Sequence, residues 1–170
     1  LATGAVPSRP NIPGMDYPHV VLARDVLWGR ASIGQEVVVL GGGLIGSETA
    51  AYCTEKGVKV SIVEQLSGIA LEEDVTRRQF LLKFLEDRKV DILTETSIVE
   101  IKENSVVLEK NNSVFEYPAD TVIIALGMES YNSLQQALSG KAKITVVGDA
   151  VEPRNALEAT REGFLAGVNA

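Results

Sequence analysis

Hydrophobic and polar positions along this chain follow two rhythms, and each predicts a different kind of element. Val37 to Leu40 is an unbroken apolar run, the pattern of a short strand buried on both faces. Residues 44 to 56 then take helical spacing and close at Gly57, where a missing Cβ suits a helix C-cap. The pair repeats. "VKVSIVE" at 58 to 64 predicts a second buried strand, and 74 to 88 predicts an amphipathic helix with Phe80, Leu81, Phe84 and Leu85 at helical spacing and Asp74 as its N-cap. "VDILTET" at 90 to 96 predicts a third strand of the same kind.

From Ser97 the period shortens to two. "SIVEIKENSVVLEKNNSVFEY", with turn signals at Glu103-Asn104 and Asn111-Asn112, predicts an antiparallel β-meander. "DTVIIALG" at 120 to 127 returns as a buried strand, a short helix is expected near 132 to 138, "KITVVGDA" at 143 to 150 reads as another buried strand, and 155 to 170 as a closing helix. Ahead of all this, residues 7 to 18 hold four of the six prolines and predict an extended connector, followed by a short helix at 25 to 29. "LATGA" at the start reads like the end of a buried strand, so the chain is expected to be a piece of a larger protein. Strands alternating with helices place it in the α/β class: a Rossmann-like, three-layer domain in which a parallel sheet lies between helices and the meander.

Composition narrows the functions. At 170 residues there is room for one ordinary domain and little for a two-domain enzyme, while 45% hydrophobic and 23% charged residues suffice to bury a core. A formal charge of −7 and a pI near 4.8 argue against a nucleic-acid or anionic-membrane surface. No apolar run approaches the roughly 20 residues of a membrane-spanning helix. The single cysteine, Cys53, excludes an intramolecular disulfide, a CxxC pair or a cysteine-rich metal site within these residues, and fits a reducing cytoplasm. Cys53, Tyr52 and Trp28 sit among apolar neighbours and read as packing; His19, the only histidine, lies beside prolines with no catalytic partner. No Ser/His/Asp or Cys/His set assembles, and the carboxylates lack metal-ligand spacing. Any hydride chemistry would therefore belong to cofactors that the protein positions.

One stretch carries that chemistry. In "VVVLGGGLIGSETA", Gly41, Gly43 and Gly46 match G-x-G-x-x-G, with Gly42, Leu44 and Ile45 filling the turn. The first glycine permits the turn out of the strand, the second lets a pyrophosphate approach the backbone, and the third lets helix and strand pack closely. N–H groups at the helix start, with its dipole, can then hold phosphate without a cationic side chain. Glu64 ends the next strand, 23 positions beyond Gly41, and is followed by Gln65. A carboxylate there accepts hydrogen bonds from the adenosine ribose hydroxyls and repels a 2′-phosphate. No Arg or Lys occurs from 64 to 71, so NAD(H) is expected rather than NADP(H). Glu48 is expected in the first helical turn, where an acid gains up to about 1 kcal/mol from the dipole as a cap.

Three further stretches join the glycine turn: "ATGAVPSRPNIPG" at 2 to 14, "DTVIIALGMES" at 120 to 130 and "VVGDAVEPRNALEATREGFLAG" at 146 to 167. In this arrangement the chain resembles the two-dinucleotide-domain flavoprotein reductases, in which an NAD(P) domain is inserted into an FAD domain. It most resembles the C-terminal part of the NADH:flavin oxidoreductases related to old yellow enzyme, namely 2-enoate reductase, 2,4-dienoyl-CoA reductase and trimethylamine dehydrogenase.

That resemblance implies an FAD-domain remnant and connector at 1 to 24, an NAD(H)-binding domain at 25 to 130, and a second FAD-domain remnant, a strand and C-terminal helix, at 131 to 170. It further implies that Glu48 lies near the nicotinamide, that Ala125, Leu126 and Gly127 line the nicotinamide side, and that Gly148 and Asp149 form the second FAD motif, the aspartate holding the ribityl chain. The first FAD fingerprint, the FMN-binding barrel and the cysteines of a 4Fe-4S cluster are not in these residues; the resemblance puts them in a missing N-terminal part of the same polypeptide. The implied activity is hydride transfer from NADH to FAD and onward to FMN, which reduces an enoate- or dienoyl-CoA-type C=C bond. On this reading the isolated chain binds NAD(H) weakly and catalyses nothing. A ferredoxin-reductase-like or NADH-oxidase-like parent shares these fingerprints, and a free-standing nucleotide-binding module shares the glycine turn.

Overall fold

The computed structural model describes residues 1 to 169; Ala170, the last residue of the predicted closing helix, lies outside them. The chain divides into two compact units, residues 9 to 126 and residues 1 to 8 with 127 to 170. A three-residue strand of the smaller unit, β1 (Ala5–Pro7), comes first. The larger unit then runs β2 (Val20–Leu22), α1 (Ala23–Leu27), β3 (Glu36–Leu40), α2 (Leu44–Thr54), β4 (Lys59–Val63), α3 (Val75–Asp87) and β5 (Asp91–Leu93). The meander β6 (Ser97–Ile101), β7 (Ser105–Lys110) and β8 (Ser113–Pro118) follows, and β9 (Thr121–Ile124) closes the unit. The smaller unit resumes with β10 (Met128–Ser130), α4 (Ser133–Leu138), a 3-10 turn at Gly148–Ala150 and α5 (Ala156–Val168).

The larger unit is the α/β sandwich the sequence predicts. Its central sheet has the order β2-β9-β3-β4-β5, parallel throughout. Apolar runs are continuous because both faces are covered and alternate residues enter different layers. Val37, Val39, Ile62 and Ile123 pack with Ala50, Cys53 and Leu85 on the helical side. Val38, Leu40, Val63, Val122 and Ile124 pack with Ile101, Val106 and Leu108 of the meander on the other. One polar residue on the meander side, Ser61, is buried beside Tyr117, whose hydroxyl lies 2.9 Å from it and donates to Asp91 at 2.9 Å. At the β7–β8 turn, Asn111 (φ 51) and Asn112 (φ 60) both take the left-handed conformation that a tight two-residue hairpin demands.

Several expectations shift. The proline-rich segment is no mere linker to residue 24: Val20 to Leu22 pairs in parallel with Val122 to Ile124 as an edge strand, so residues 9 to 24 belong to the larger unit. The two compact units divide at 8/9 and 126/127. Within α3, Leu85 is buried but Phe80 faces solvent. Trp28 is not packing residue but exposed, with the Arg24 and Arg30 guanidiniums 5.9 and 4.4 Å from its ring centre.

In the smaller unit β1 pairs antiparallel with β10. "KITVVGDA" is not a strand. Among the described residues its backbone pairs with Leu1, whose ammonium donates to the Thr145 carbonyl at 2.6 Å and whose carbonyl accepts from Val147 N–H at 2.9 Å, and Gly148 N–H donates to Glu162. The closing helix forms as α5, with Asn155 capping it by accepting from Glu158 N–H, yet it buries no residue. No described helix is long and apolar enough to cross a membrane.

Candidate nucleotide site

The C-terminal ends of β3, β4 and β9 meet at the glycine turn. Gly41 (φ 98) takes a backbone conformation open to glycine, and a Cβ on it would lie 2.4 Å from the Ala125 carbonyl oxygen. A Cβ on Gly46 would lie 1.9 Å from the Gly41 carbonyl oxygen and 3.2 Å from Ala125 Cβ. These two glycines are thus steric necessities of a turn pressed between its own helix and β9. At Gly43, the N-cap of α2, an added Cβ would meet only the Glu72 carboxylate, at 3.1 Å. Among the described residues, this is the side from which a ligand can reach the backbone. Leu126 is half-buried beyond Ala125, on the same strand end.

The donors at this turn already face acids. Glu64 Oε2 accepts from Gly42 N–H at 2.6 Å and Oε1 from Leu66 N–H at 2.8 Å, while its backbone continues the ladder to β5. Its carboxylate therefore stands over the turn, and Gln65 beside it is exposed. Glu72 accepts from Leu44 N–H, the first N–H of α2. An N-terminal helical turn leaves N–H groups without partners inside the helix, and a site whose donors select carboxylates has the chemistry an anionic group needs. Buried Ser47 closes the turn from behind, donating to the Gly42 carbonyl at 3.0 Å. Ile45 is exposed on the outer side of the helix start.

Glu48 departs from expectation. Because α2 begins at Leu44, Glu48 lies beyond the first turn, whose residues include no acid, so it cannot cap the helix; its side chain is exposed. Glu72 was missed. The run "LEEDV" shows only Asp74 as a cap, which it is, accepting from Thr76 N–H at 2.9 Å; nothing in its spacing signals that the neighbouring acid reaches back 28 residues to Leu44.

In the smaller unit Gly148 (φ 66) and Asp149 share the 3-10 turn. Glu162 of α5 accepts from Gly148 N–H at 2.7 Å and pairs with Arg154; these two contacts, the backbone N–H first, hold its carboxyl below the usual range. Asp149 accepts from Arg154 N–H at 3.3 Å. Gly127 (φ 92) accepts from Ser8 N–H at 3.0 Å, joining β10 to β1. Cys53 is buried in α2, and the described residues hold no group of three or more His, Cys, Asp or Glu placed for a metal.

Known proteins resemble this chain in sequence and fold. The family model for pyridine nucleotide-disulphide oxidoreductase matches residues 1 to 163. A bilirubin reductase of Mediterraneibacter gnavus is 38% identical over 98% of this chain, and an NADH oxidase of Thermoanaerobacter brockii is 35% identical over 96%. The solved complex of a 2-naphthoyl-CoA reductase superposes with a TM-score of 0.90 at 29% identity over 99% of the chain. The chain spans about a quarter of each, 26% in all three. It belongs to the pyridine nucleotide-disulphide oxidoreductase family, whose members work with FAD and NAD(P)H.

Proposed function

We propose that this member of the pyridine nucleotide-disulphide oxidoreductase family is the NAD(H)-binding part of a larger, cytoplasmic flavin-dependent reductase. The observation that carries the reading is the glycine turn at the ends of β3, β4 and β9, with its N–H groups turned toward carboxylates. Gly41 to Gly46 would hold the pyrophosphate, Glu64 and Gln65 the adenosine ribose, and Ala125, Leu126 and Gly127 the nicotinamide side, near Glu48. Gly148 and Asp149 would be this chain's contribution to an FAD site completed by other parts of the polypeptide.

The chemistry such a dinucleotide supplies is hydride donation, here to FAD and onward to an FMN site that reduces an enoate- or dienoyl-CoA-type C=C bond. Two relatives support the last step: one is named for bilirubin reduction and one was solved with 2-naphthoyl-CoA. The FMN and the 4Fe-4S cluster would be held outside these residues. A second reading, an NADH-oxidase-like parent, is favoured by the Thermoanaerobacter relative and differs only in the acceptor. Calorimetric titration of the chain with NADH and NADPH tests the cofactor assignment. NADH is expected to bind and NADPH to bind at least tenfold more weakly; tighter NADPH binding overturns the role given to Glu64.

A further inference from the structure

Two acids contact the glycine turn, and they are held differently. Glu64 is half-buried at the end of β4 and fixed by two backbone N–H groups. Glu72 is exposed, and at this turn it holds only Leu44 N–H. The loop bearing it is pinned before residue 72: Ala70 N–H donates to the Gly42 carbonyl at 2.7 Å, Arg78 Nε donates to the Ile69 carbonyl at 2.8 Å, and Ile69 is buried in the core. Past Ala70 (φ 47) the chain turns outward toward Asp74. Glu72 can therefore leave Leu44 by rotation of its own side chain, with no opening of the loop.

We infer that Glu72 is a built-in competitor for the dinucleotide pyrophosphate and so sets the affinity of the site. This rests on the assignment of Gly41 to Gly46 to the pyrophosphate. Leu44 N–H is the first donor of the phosphate-binding helix, and Glu72 Oε1 stands 3.1 Å from the position a side chain on Gly43 would take, on the approach of the ligand. Ligand and carboxylate need the same donor and carry the same sign of charge. Binding must displace Glu72 from the helix N-terminus and then tolerate it nearby, so the residue weakens every ligand that carries a pyrophosphate. Glu64, which the proposed function gives to the ribose hydroxyls, would add affinity instead.

The test is calorimetric titration of the 170-residue chain and its E72A and E72Q variants with ADP-ribose, NADH and adenosine, each variant's fold being verified by circular dichroism. Removing the acid should tighten ADP-ribose and NADH about two- to fivefold, the range a carboxylate contributes at an exposed helix N-terminus. E72Q, which keeps an acceptor without the charge, should give part of that gain, and adenosine, which lacks the pyrophosphate, should bind the three proteins alike. Unchanged or weaker ADP-ribose binding in both variants overturns the inference, as does an equal gain for adenosine. If the unaltered chain binds neither ADP-ribose nor NADH, the nucleotide assignment itself fails and takes the inference with it; if it binds both and the variants bind no tighter, only the inference fails.

Discussion

The two units use the same vocabulary of extended segment, glycine turn and helix, and only one of them turns it into a buried core. In the larger unit Val37 to Leu40 has a strand on either side and a layer on either face, and α2 buries Gly46, Ser47, Thr49, Ala50 and Cys53. In the smaller unit "KITVVGDA" meets Leu1 and, at Gly148, Glu162 of α5 without forming a strand, and among the described residues α5 buries nothing while Leu157, Phe164, Leu165 and Val168 stay exposed. Apolar sequence proposes an element; neighbours decide how much free energy it contributes, because burial rather than propensity supplies most of the stability of short strands and helices. The glycine turn of the larger unit is correspondingly enclosed by backbone, while the Gly148 N–H is met by a side chain, Glu162.

The strongest way to break this comparison is Gly46→Ala. The added methyl has the Gly41 carbonyl oxygen 1.9 Å away and Ala125 behind it, so either α2 or β9 must move. A loss of about 3 kcal/mol is expected, the upper end for overpacking a tight site, with NADH affinity down more than tenfold. Urea melting and calorimetry measure the two. A variant of native stability would mean that the turn is not clamped between β3, α2 and β9.

Cys53 sharpens the same contrast without altering a residue. Burial pushes its thiol up to about 11, opposed weakly by the Lys56 ammonium. Below the ordinary thiol value near 9 the group is neutral whether the chain is folded or not, so it adds no pH dependence there; from about 9 to about 11 the unfolded thiol ionises and the folded one resists, so stability falls as pH rises through that window. Since the thiolate is the reactive form, iodoacetamide at pH 8 should modify the native chain at least about 100-fold more slowly than the urea-unfolded chain. Equal rates would show that α2 opens as readily as an unburied helix.

How much of this was legible in the sequence follows from where each signal originates. Val37 to Leu40, the α2 pattern and the Asn111-Asn112 turn are local, and each forms where read, because pattern and neighbours agree. The strand expected at 143 to 150 failed because an apolar run records that a strand can be buried, not that partners lie beside it. β2 escaped notice because prolines mark its approach as a connector while its ladder partner lies about 100 residues away, at Val122. At the candidate site, the places of Gly41 and Gly46 in the turn were readable because backbone sterics fix them, and that of Glu64 because it ends a strand. Glu72 was not, since its place depends on the path of a loop; Glu48 was set one turn too early although the start of α2 was read at Leu44, because the fifth residue of a helix already lies past its first 3.6-residue turn.

The smallest effect discriminates best between the units. Gly163→Ala puts the same methyl into the middle of α5, where nothing lies within 4 Å of the new Cβ. Alanine removes glycine's conformational freedom from the unfolded chain, a gain of up to about 1 kcal/mol for a helix interior. One chemical change thus carries opposite signs at Gly46 and at Gly163. Because α5 buries no residue, the gain should appear as a small rise in helical circular dichroism at 222 nm, while the cooperative melting of the larger unit stays put. A clear upward shift in that melting would show α5 coupled to the β-sheet core and would undo the distinction between a unit that owns its core and one whose apolar helix does not.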